Sequence, residues 1–151
     1  MNKQNYILLD LSSKVEYALL ALLELAACKE RQVPVTMNEI ANKQPIPERY
    51  LEQILTSLRR AGIVQSQRGA KGGFVLVREP WQITLLDIVH SVEGKRKNRE
   101  YPHPPTLEMN LVHEIWEQVN FAAVEVLRQR TLEDLYQQRQ ARAQQGSMYY
   151  I

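Results

Sequence analysis

The sequence predicts a mainly α-helical fold with one small two-stranded β-hairpin, on the basis of three observations. Apolar residues recur at helical spacing in several short segments. Two β-rich runs, 63–67 and 74–77, flank a glycine-containing connector that can join them as a hairpin. A longer amphipathic segment follows a proline-rich stretch. With 151 residues, 44% of them hydrophobic, the chain can form one compact unit, or one small domain plus an oligomerisation element.

Capping boxes mark two helix starts in the first third of the chain. Ser13 and Glu16 are spaced so that both side chains can accept hydrogen bonds from free backbone N–H groups, which predicts a helix over about 13–29. Thr36 and Glu39 repeat the pattern and predict a second helix of about two turns. This helix must end near the two following prolines, because the residue before a proline is pushed out of the α region.

A third helix is predicted between Pro47 and Gly62. Pro47 suits the first helical position because its missing N–H costs nothing there, and Gly62 supplies the C-terminal stop. The apolar stripe between them consists of Leu51, Ile54, Leu55 and Leu58. Three helices followed by a hairpin predict a winged helix-turn-helix. Thr84 and Asp87 then cap a further short helix.

A long amphipathic helix is predicted after the proline-rich stretch, followed by another helix that Thr131 can cap through Asp134. The apolar stripe of the long helix needs a partner surface. The preferred partner is the same helix of a second subunit, because a twofold dimer buries both stripes with one interface. The predicted dimer contacts are Val112, Ile115, Trp116, Val119, Ala123 and Val126. The alternative is packing against the N-terminal part of the same chain.

The chain therefore divides into four parts. A winged helix-turn-helix domain is expected over 1–92, and a linker loop over 93–106. The dimerisation helix and the C-terminal helix are expected over 107–143, and a flexible tail over 144–151. Because the linker joins the two functional parts, it is where we expect an effector-responsive element.

The distribution of charge indicates a polyanionic partner. The formal net charge is only +2, but residues 53–78 contain five basic residues and no acidic residue. Such a cationic face attracts nucleic acid. In a helix-turn-helix the second helix of the motif enters the major groove, so polar residues outside its apolar stripe can contact bases or phosphates. These residues are Glu48, Arg49, Glu52, Gln53, Thr56 and Arg59.

The predicted hairpin tip, residues 68–73, combines two cations with three glycines. Glycines allow the backbone to approach a sugar-phosphate chain while an arginine enters the minor groove. The predicted contacts are Arg68, Gly69, Lys71 and Gly72. The segment does not match a nucleotide-binding loop, because no Ser or Thr follows Lys71 and no helix is predicted to begin after Gly73.

Several motifs resemble those of the Rrf-type, or BadM-like, winged-helix transcription regulators. They are LSSKVEYA at 11–18, IPERYLEQI at 46–54, LRRAGIV at 58–64 and RGAKGGF at 68–74, with LVHEIW at 111–116 and TLEDL at 131–135. The resemblance implies homodimers that bind near-palindromic promoter DNA. By position, Glu52 matches the family's sequence-discriminating residue, Tyr50 and Gln53 its neighbours at the DNA, and Arg68 the wing residue that enters the minor groove.

One departure from this family concerns its cofactor. Cluster-binding relatives place three cysteines before the dimerisation helix, and this sequence has none there. We therefore expect no [2Fe-2S] cluster, no other cofactor and no metal site. His113 and Glu16 match positions where some relatives use non-cysteine ligands, so an unusual site between subunits stays open. His103 and His113 could also bind a metal, although solvated or structural histidines are more common.

The remaining candidates are interpreted as structural. Cys28 is expected to pack rather than to act as a redox switch, and Trp81 and Trp116 are expected to anchor packing. No apolar run approaches the roughly 20 residues that a membrane span requires, and no secretory signal is visible, so the cytoplasm is expected.

The function that these features favour is a homodimeric, sequence-specific transcription regulator whose partner is double-stranded promoter DNA. The alternative is a winged-helix module that docks a partner protein without binding DNA. We expect no enzymatic activity, because no local catalytic motif is present.

Overall fold

The computed structural model describes residues 9–31, 33–69, 72–94 and 99–149. These residues form six helices, one short 3-10 turn and a two-stranded antiparallel sheet, which confirms the predicted fold class. The elements are α1 (Ser13–Ala27), α2 (Met37–Lys43), α3 (Glu48–Arg60), β1 (Val64–Gln67), β2 (Gly73–Leu76), the 3-10 turn (Pro80–Gln82), α4 (Leu85–Glu93), α5 (Leu107–Gln129) and α6 (Leu132–Tyr149). No helix within these ranges is both long and apolar enough to span a lipid bilayer.

Helix α1 lies at the centre of the core and contacts α2, α3, α4, α6 and β2. Its buried positions include three alanines, whose small side chains let neighbouring helices approach closely. Ala18, Ala21 and Leu22 are completely buried, and Leu25 is 2% exposed. Burying one such leucine stabilises the fold by about 1.5–3 kcal/mol.

The start of α1 corrects one prediction. The N-cap is Ser12 rather than Ser13, and the Ser12 hydroxyl accepts a hydrogen bond from the Val15 N–H at 3.2 Å. The same hydroxyl donates to the carboxylate of Glu93 at the end of α4. This contact from a distant helix favours the earlier cap. The helix also ends at Ala27, before the predicted position 29.

The second and fourth helices begin as predicted. The Thr36 hydroxyl accepts from the Glu39 N–H at 3.2 Å, and the Thr84 hydroxyl accepts from the Asp87 N–H at 3.0 Å. In both capping boxes the acidic side chain accepts from the N-cap backbone in return. Each box satisfies donors that would otherwise lack a partner at the start of the helix.

Helix α3 confirms the predicted apolar stripe and C-terminal stop. Pro47 is the N-cap rather than the first helical residue. At the other end, the Gly62 N–H donates to the Arg59 carbonyl and the Ile63 N–H donates to the Leu58 carbonyl, both at 3.0 Å. This pair of bonds is the Schellman pattern, and it requires the positive φ of +74° that Gly62 adopts.

The wing consists of β1 and β2, with Val64 opposite Leu76 and Gln67 opposite Gly73. It is also attached to the chain before α2 through an isolated bridge between Val35 and Phe74. A side chain at Gly73 would place its Cβ 2.5 Å from the Val35 carbonyl oxygen, so only glycine fits.

The last two helices differ in how they pack against the rest of the chain. No described residue of α5 is buried. Helix α6 instead packs on α1, and its first residue, Leu132, is completely buried in the core. The Leu132 N–H donates to the Ile83 carbonyl at 2.9 Å. The helix continues to Tyr149, so the segment from 144 that was expected to form a flexible tail is helical through that residue.

Cys28 packs against the core of the chain, whereas the two tryptophans are exposed. Cys28 is half-buried against the core, as predicted for a packing residue. Trp81 and Trp116 are each 63% exposed, so neither anchors packing within the described part of this chain, and packing by Trp116 stays a prediction for the proposed dimer interface. Trp81 lies on a surface turn, and Trp116 lies on the uncovered helix α5.

Replacing Leu22 tests the central position of α1. Leu22→Ala removes a fully buried side chain and should lower the free energy of unfolding by about 2–5 kcal/mol through lost burial and a cavity. Urea denaturation followed by circular dichroism measures this loss. Leu11→Ala, at a position 58% exposed, is the control and should change stability by less than about 0.5 kcal/mol. Equal effects of the two substitutions would contradict this packing.

Candidate nucleic-acid interface

The outer face of α3 is polar and exposed, opposite its buried stripe. Arg49, Glu52, Gln53 and Arg59 are exposed as predicted, and Thr56 is partly exposed. The Thr56 hydroxyl donates to the Glu52 carbonyl of its own helix at 2.9 Å, which leaves the hydroxyl oxygen able to accept a hydrogen bond. A shallow groove on this face is lined by Glu52, Gln53, Thr56, Ser57 and Arg60.

Ser57 and Arg60 were not predicted as site residues. Ser57 follows Gln53 by four residues, and Arg60 follows Thr56 by four. Residues four positions apart are neighbours on a helix surface, so this spacing could have identified both residues from the sequence. Arg60 adds a second exposed cation beside Arg59 at the end of α3. This end of the helix can therefore attract phosphate.

An aromatic pair supports the first turn of α3. The rings of Tyr50 and Tyr17 lie 6.0 Å apart with an interplanar angle of 44°. The Arg49 guanidinium carbon lies 5.6 Å from the centre of the Tyr50 ring, within the range of a cation–π contact. Tyr50 remains 37% exposed. Sequence reasoning missed Tyr17, because nothing local links it to α3.

The wing tip presents Arg68 and Gly69 to solvent. The Gly72 N–H donates to the Gly69 carbonyl at 2.9 Å, and Gly69 adopts a φ of +122°. A Cβ at Gly72 would lie 2.8 Å from the Gln67 carbonyl oxygen. The described glycines are therefore required by the turn itself. Lys71, the other predicted cation of the tip, lies outside the described residues.

Arg31 fastens the chain before α2, and sequence reasoning missed it. Its Nε donates to the Val33 carbonyl at 2.9 Å, and its Nη2 donates to the Pro34 carbonyl at 2.8 Å. The same Nη2 donates to the Glu39 carboxylate at 2.9 Å. The hydrogen bond from Arg31 lowers the pKa of Glu39, with a smaller contribution from the Thr36 backbone N–H and partial opposition from desolvation.

A buried carboxylate of α1 joins this helix to the end of α2 and to α6. Glu24 is 1% exposed, and its carboxylate accepts a hydrogen bond from the Gln44 side chain at 2.9 Å. Two cations lie nearby, Arg139 of α6 at 3.4 Å and Lys43 of α2 at 3.9 Å. The sequence signal that could have revealed this cluster is an acidic residue on the otherwise apolar inward face of α1.

The predicted dimer stripe of α5 is uncovered within the chain. Val112, Ile115, Trp116, Val119 and Val126 are between 40% and 63% exposed, and Ala123 is half-buried. The alternative of packing on the same chain is therefore wrong for these five exposed side chains. So large a continuous apolar face is typical of a protein-protein interface.

The histidine and acidic candidates for a metal site are not brought together. The Tyr101 hydroxyl lies 3.3 Å from Nε2 of His113, which joins the linker to α5. Nδ1 of His103 lies 3.5 Å from the carbonyl oxygen of the neighbouring Pro104. Within 9–31, 33–69, 72–94 and 99–149, no three His, Cys, Asp or Glu side chains are placed to hold a metal ion.

Comparison with known proteins assigns this arrangement to a family. A family model described as "Rrf2: Iron-dependent Transcriptional regulator" matches residues 11–138. The chain belongs to the Rrf2 family. Its members are DNA-binding transcriptional regulators, so the resemblance seen in the sequence is confirmed.

Individual Rrf2 relatives extend the match to nearly the whole chain. The HTH-type transcriptional regulator CymR of Bacillus subtilis is 38% identical over 143 residues, covering 95% of this chain and 100% of that protein. The solved structure of CymR, the global cysteine regulator of B. subtilis, superposes with a TM-score of 0.71 over 86% of this chain and 98% of that one. The structure of T. potens IscR, 37% identical, gives a TM-score of 0.74 over 94% and 97%.

The ion pair at Arg31 predicts an acid dependence of stability. Because the pKa of Glu39 is lowered in the folded protein, its contribution to stability is present above the pKa of Glu39 in the unfolded chain. That contribution is lost as the pH falls through the lower folded pKa. Thermal melts of the wild type and Glu39→Gln should therefore differ more at pH 7 than at pH 3. Glu108→Gln, another first-turn acid in an exposed position, is the control. A constant difference between wild type and Glu39→Gln at all pH values would contradict the prediction.

Proposed function

We propose that this Rrf2-family protein is a homodimeric, sequence-specific regulator that inserts α3 into the major groove and Arg68 into the minor groove. The observation that carries the proposal is the division of α3 into two faces. Leu51, Ile54, Leu55 and Leu58 are at most 3% exposed, whereas Arg49, Glu52, Gln53 and Arg59 are exposed. A helix whose apolar side is buried in the core and whose opposite side is polar and exposed is suited to reading base edges.

Each side chain on the outer face has a chemical role in this proposal. Glu52 accepts a hydrogen bond from cytosine N4, and Gln53 pairs with adenine N6 and N7. Arg49 and Arg59 bind guanine or phosphate, and Tyr50 and Thr56 contact the backbone beside them. Within 9–31, 33–69, 72–94 and 99–149, no cation forms a salt bridge with Glu52, so its acceptor atoms are open to a base.

The wing supplies contacts that depend on groove shape. Arg68 enters a narrow minor groove, where the negative potential is strongest. Gly69 and Gly72 have no side chains, which lets the backbone at these two positions approach the sugar-phosphate chain. Lys71, by its sequence position, adds a phosphate contact. The same proposal has the protein act in the cytoplasm, where the genomic DNA of a bacterium such as B. subtilis, the source of its relative CymR, is located.

Dimerisation through α5 would set the distance between the two reading helices. Two copies related by a twofold axis bury the exposed stripe of Val112, Ile115, Trp116, Val119, Ala123 and Val126 and read a near-palindromic site. The backbone bonds from Leu132 to Ile83 and from Leu85 to Arg130, both 2.9 Å, fasten the end of α5 to the winged-helix core. Such a joint supports a fixed spacing between half-sites.

The residues do not fit the [2Fe-2S] cluster of other relatives. That cluster is held mainly by thiolates, and the only cysteine, Cys28, packs against the core at the end of α1. His113 is exposed and Glu16 lies on α1, with no thiolate near either. We propose that DNA binding proceeds without the cluster.

The proposed reading roles are tested with genomic fragments selected by the purified protein. Arg68→Ala should weaken binding to the selected duplex by about tenfold through lost minor-groove contact, within the range of 1–3 kcal/mol for one specific contact. Glu52→Ala should instead reduce the difference in affinity between that duplex and duplexes that differ from it at one base pair. Fluorescence anisotropy measures both effects.

Glu133→Ala is the control, since this residue lies on α6 away from both reading elements. A protein that binds scrambled DNA of equal length as well as the selected duplex would contradict sequence-specific binding and favour the partner-docking alternative. If the wild type prefers its duplex but neither variant changes binding, the residue assignment is wrong.

The dimer is tested by placing a charge in the stripe. Ile115 is 59% exposed in the single chain, and Ile115→Glu would bury an unpaired charge in the interface, which should raise the dimer dissociation constant at least about a hundredfold. Sedimentation velocity measures the change. Glu117→Gln, a nearby exposed position outside the stripe, is the control. A wild type that sediments as a monomer at micromolar concentration would contradict the proposal.

A further inference from the structure

The chain before α2 is held by one side chain with three acceptors. The Arg31 guanidinium donates to the carbonyls of Val33 and Pro34 and to the carboxylate of Glu39, all within 2.9 Å. Glu39 is itself fixed by the capping box at the start of α2. A planar guanidinium is suited to this geometry because its N–H groups form a rigid fork. Arg31 therefore ties Val33 and Pro34 to the helix that follows them.

The backbone fixed by Arg31 carries the wing. Val35 follows Pro34 directly, its N–H donates to the Phe74 carbonyl at 3.0 Å, and the Phe74 N–H donates back to the Val35 carbonyl at 2.8 Å. Val35 is 4% exposed, so these bonds are shielded from water. Gly73, which starts β2, fits against Val35 with no room for a side chain. A shift of Val35 would therefore move β2.

The strand pairing carries this constraint to the wing tip. Gly73 pairs with Gln67, the residue directly before Arg68. The position of Arg68 thus depends on β1, β2 and the backbone at Val35. Arg31 is poorly suited to bind phosphate itself, because its Nε and Nη2 are engaged and Glu39 offsets its charge.

We propose that Arg31 is a positioning residue for the wing, which holds the Val35 bridge so that Arg68 meets the minor groove at the correct angle. This inference rests on the proposed function, since it gives Arg31 a role only if Arg68 contacts DNA. The Arg31 clamp, defined as the contacts of Arg31 with Val33, Pro34 and Glu39, acts before binding. It reduces the ordering of the wing that binding would otherwise require.

A double-mutant cycle tests the clamp in the full-length protein with the selected duplex. Arg31→Gln should weaken binding about fivefold, and the same substitution in an Arg68→Ala background should change binding less than about twofold, because coupled sites are not additive. Arg31→Lys is the matched variant: it keeps the charge but lacks the fork, so it should weaken binding nearly as much as Arg31→Gln. Fluorescence anisotropy gives the affinities, and thermal melts establish that each variant is folded at the assay temperature.

The outcomes separate this inference from the proposed function. If the wild type shows no duplex preference, the proposed function fails. If the wild type prefers its duplex but Arg68→Ala leaves binding unchanged, the assignment of Arg68 is wrong and the clamp is overturned with it. If Arg68→Ala weakens binding but Arg31→Gln does not, or weakens it equally in both backgrounds, the clamp is overturned. Full binding by Arg31→Lys would also overturn it, because the effect would then come from charge alone.

Discussion

The packing of α1 is the constraint on which the other elements depend. Helix α1 contacts α2, α3, α4, α6 and β2, and its completely buried Ala18 and Ala21 let neighbouring helices approach closely. Because α3 and α6 both rest on this helix, the proposed reading surface and the end of the proposed dimerisation helix share one support. A rigid common support is what a regulator with a fixed half-site spacing requires.

Glu24 adds a polar connection to this apolar core. Burying a carboxylate is costly unless it is hydrogen-bonded and paired. Here Gln44 donates a hydrogen bond, and Arg139 and Lys43 provide charge. Gln44 ends α2, directly before the turn into α3, whereas Arg139 belongs to α6. These contacts join the helix-turn-helix to the C-terminal helix and offset part of the cost of burial, since Oε1 is hydrogen-bonded whereas Oε2 has no hydrogen-bond partner among the described residues and faces only Lys43, at 3.9 Å.

The surface of the chain is divided between two chemistries. The outer face of α3 and the wing tip are polar. The contact between the Tyr17 and Tyr50 rings supports α3, and the bridge between Val35 and Phe74 supports the wing. The exposed face of α5 is apolar over several turns, and no part of the described chain covers its central residues. Polar groups on a fixed frame suit direct readout of DNA, whereas an uncovered apolar stripe suits a second protein surface. The two surfaces therefore support separate tasks for reading and assembly.

The sequence by itself determined the features that depend on near neighbours. The capping boxes at Thr36 and Thr84, the stripe of α3 and the stop at Gly62 each involve residues within a few positions, so pattern and spacing predict them. Only the tertiary structure decided the cap at Ser12, the Glu24 cluster, the packing of α6 on α1 and the Arg31 clamp with its bridge to the wing. Ser12 and Glu93 are 81 residues apart, and Arg139 and Leu23 are 116 apart. Such contacts form only when folding brings distant segments together, and no local periodicity records them.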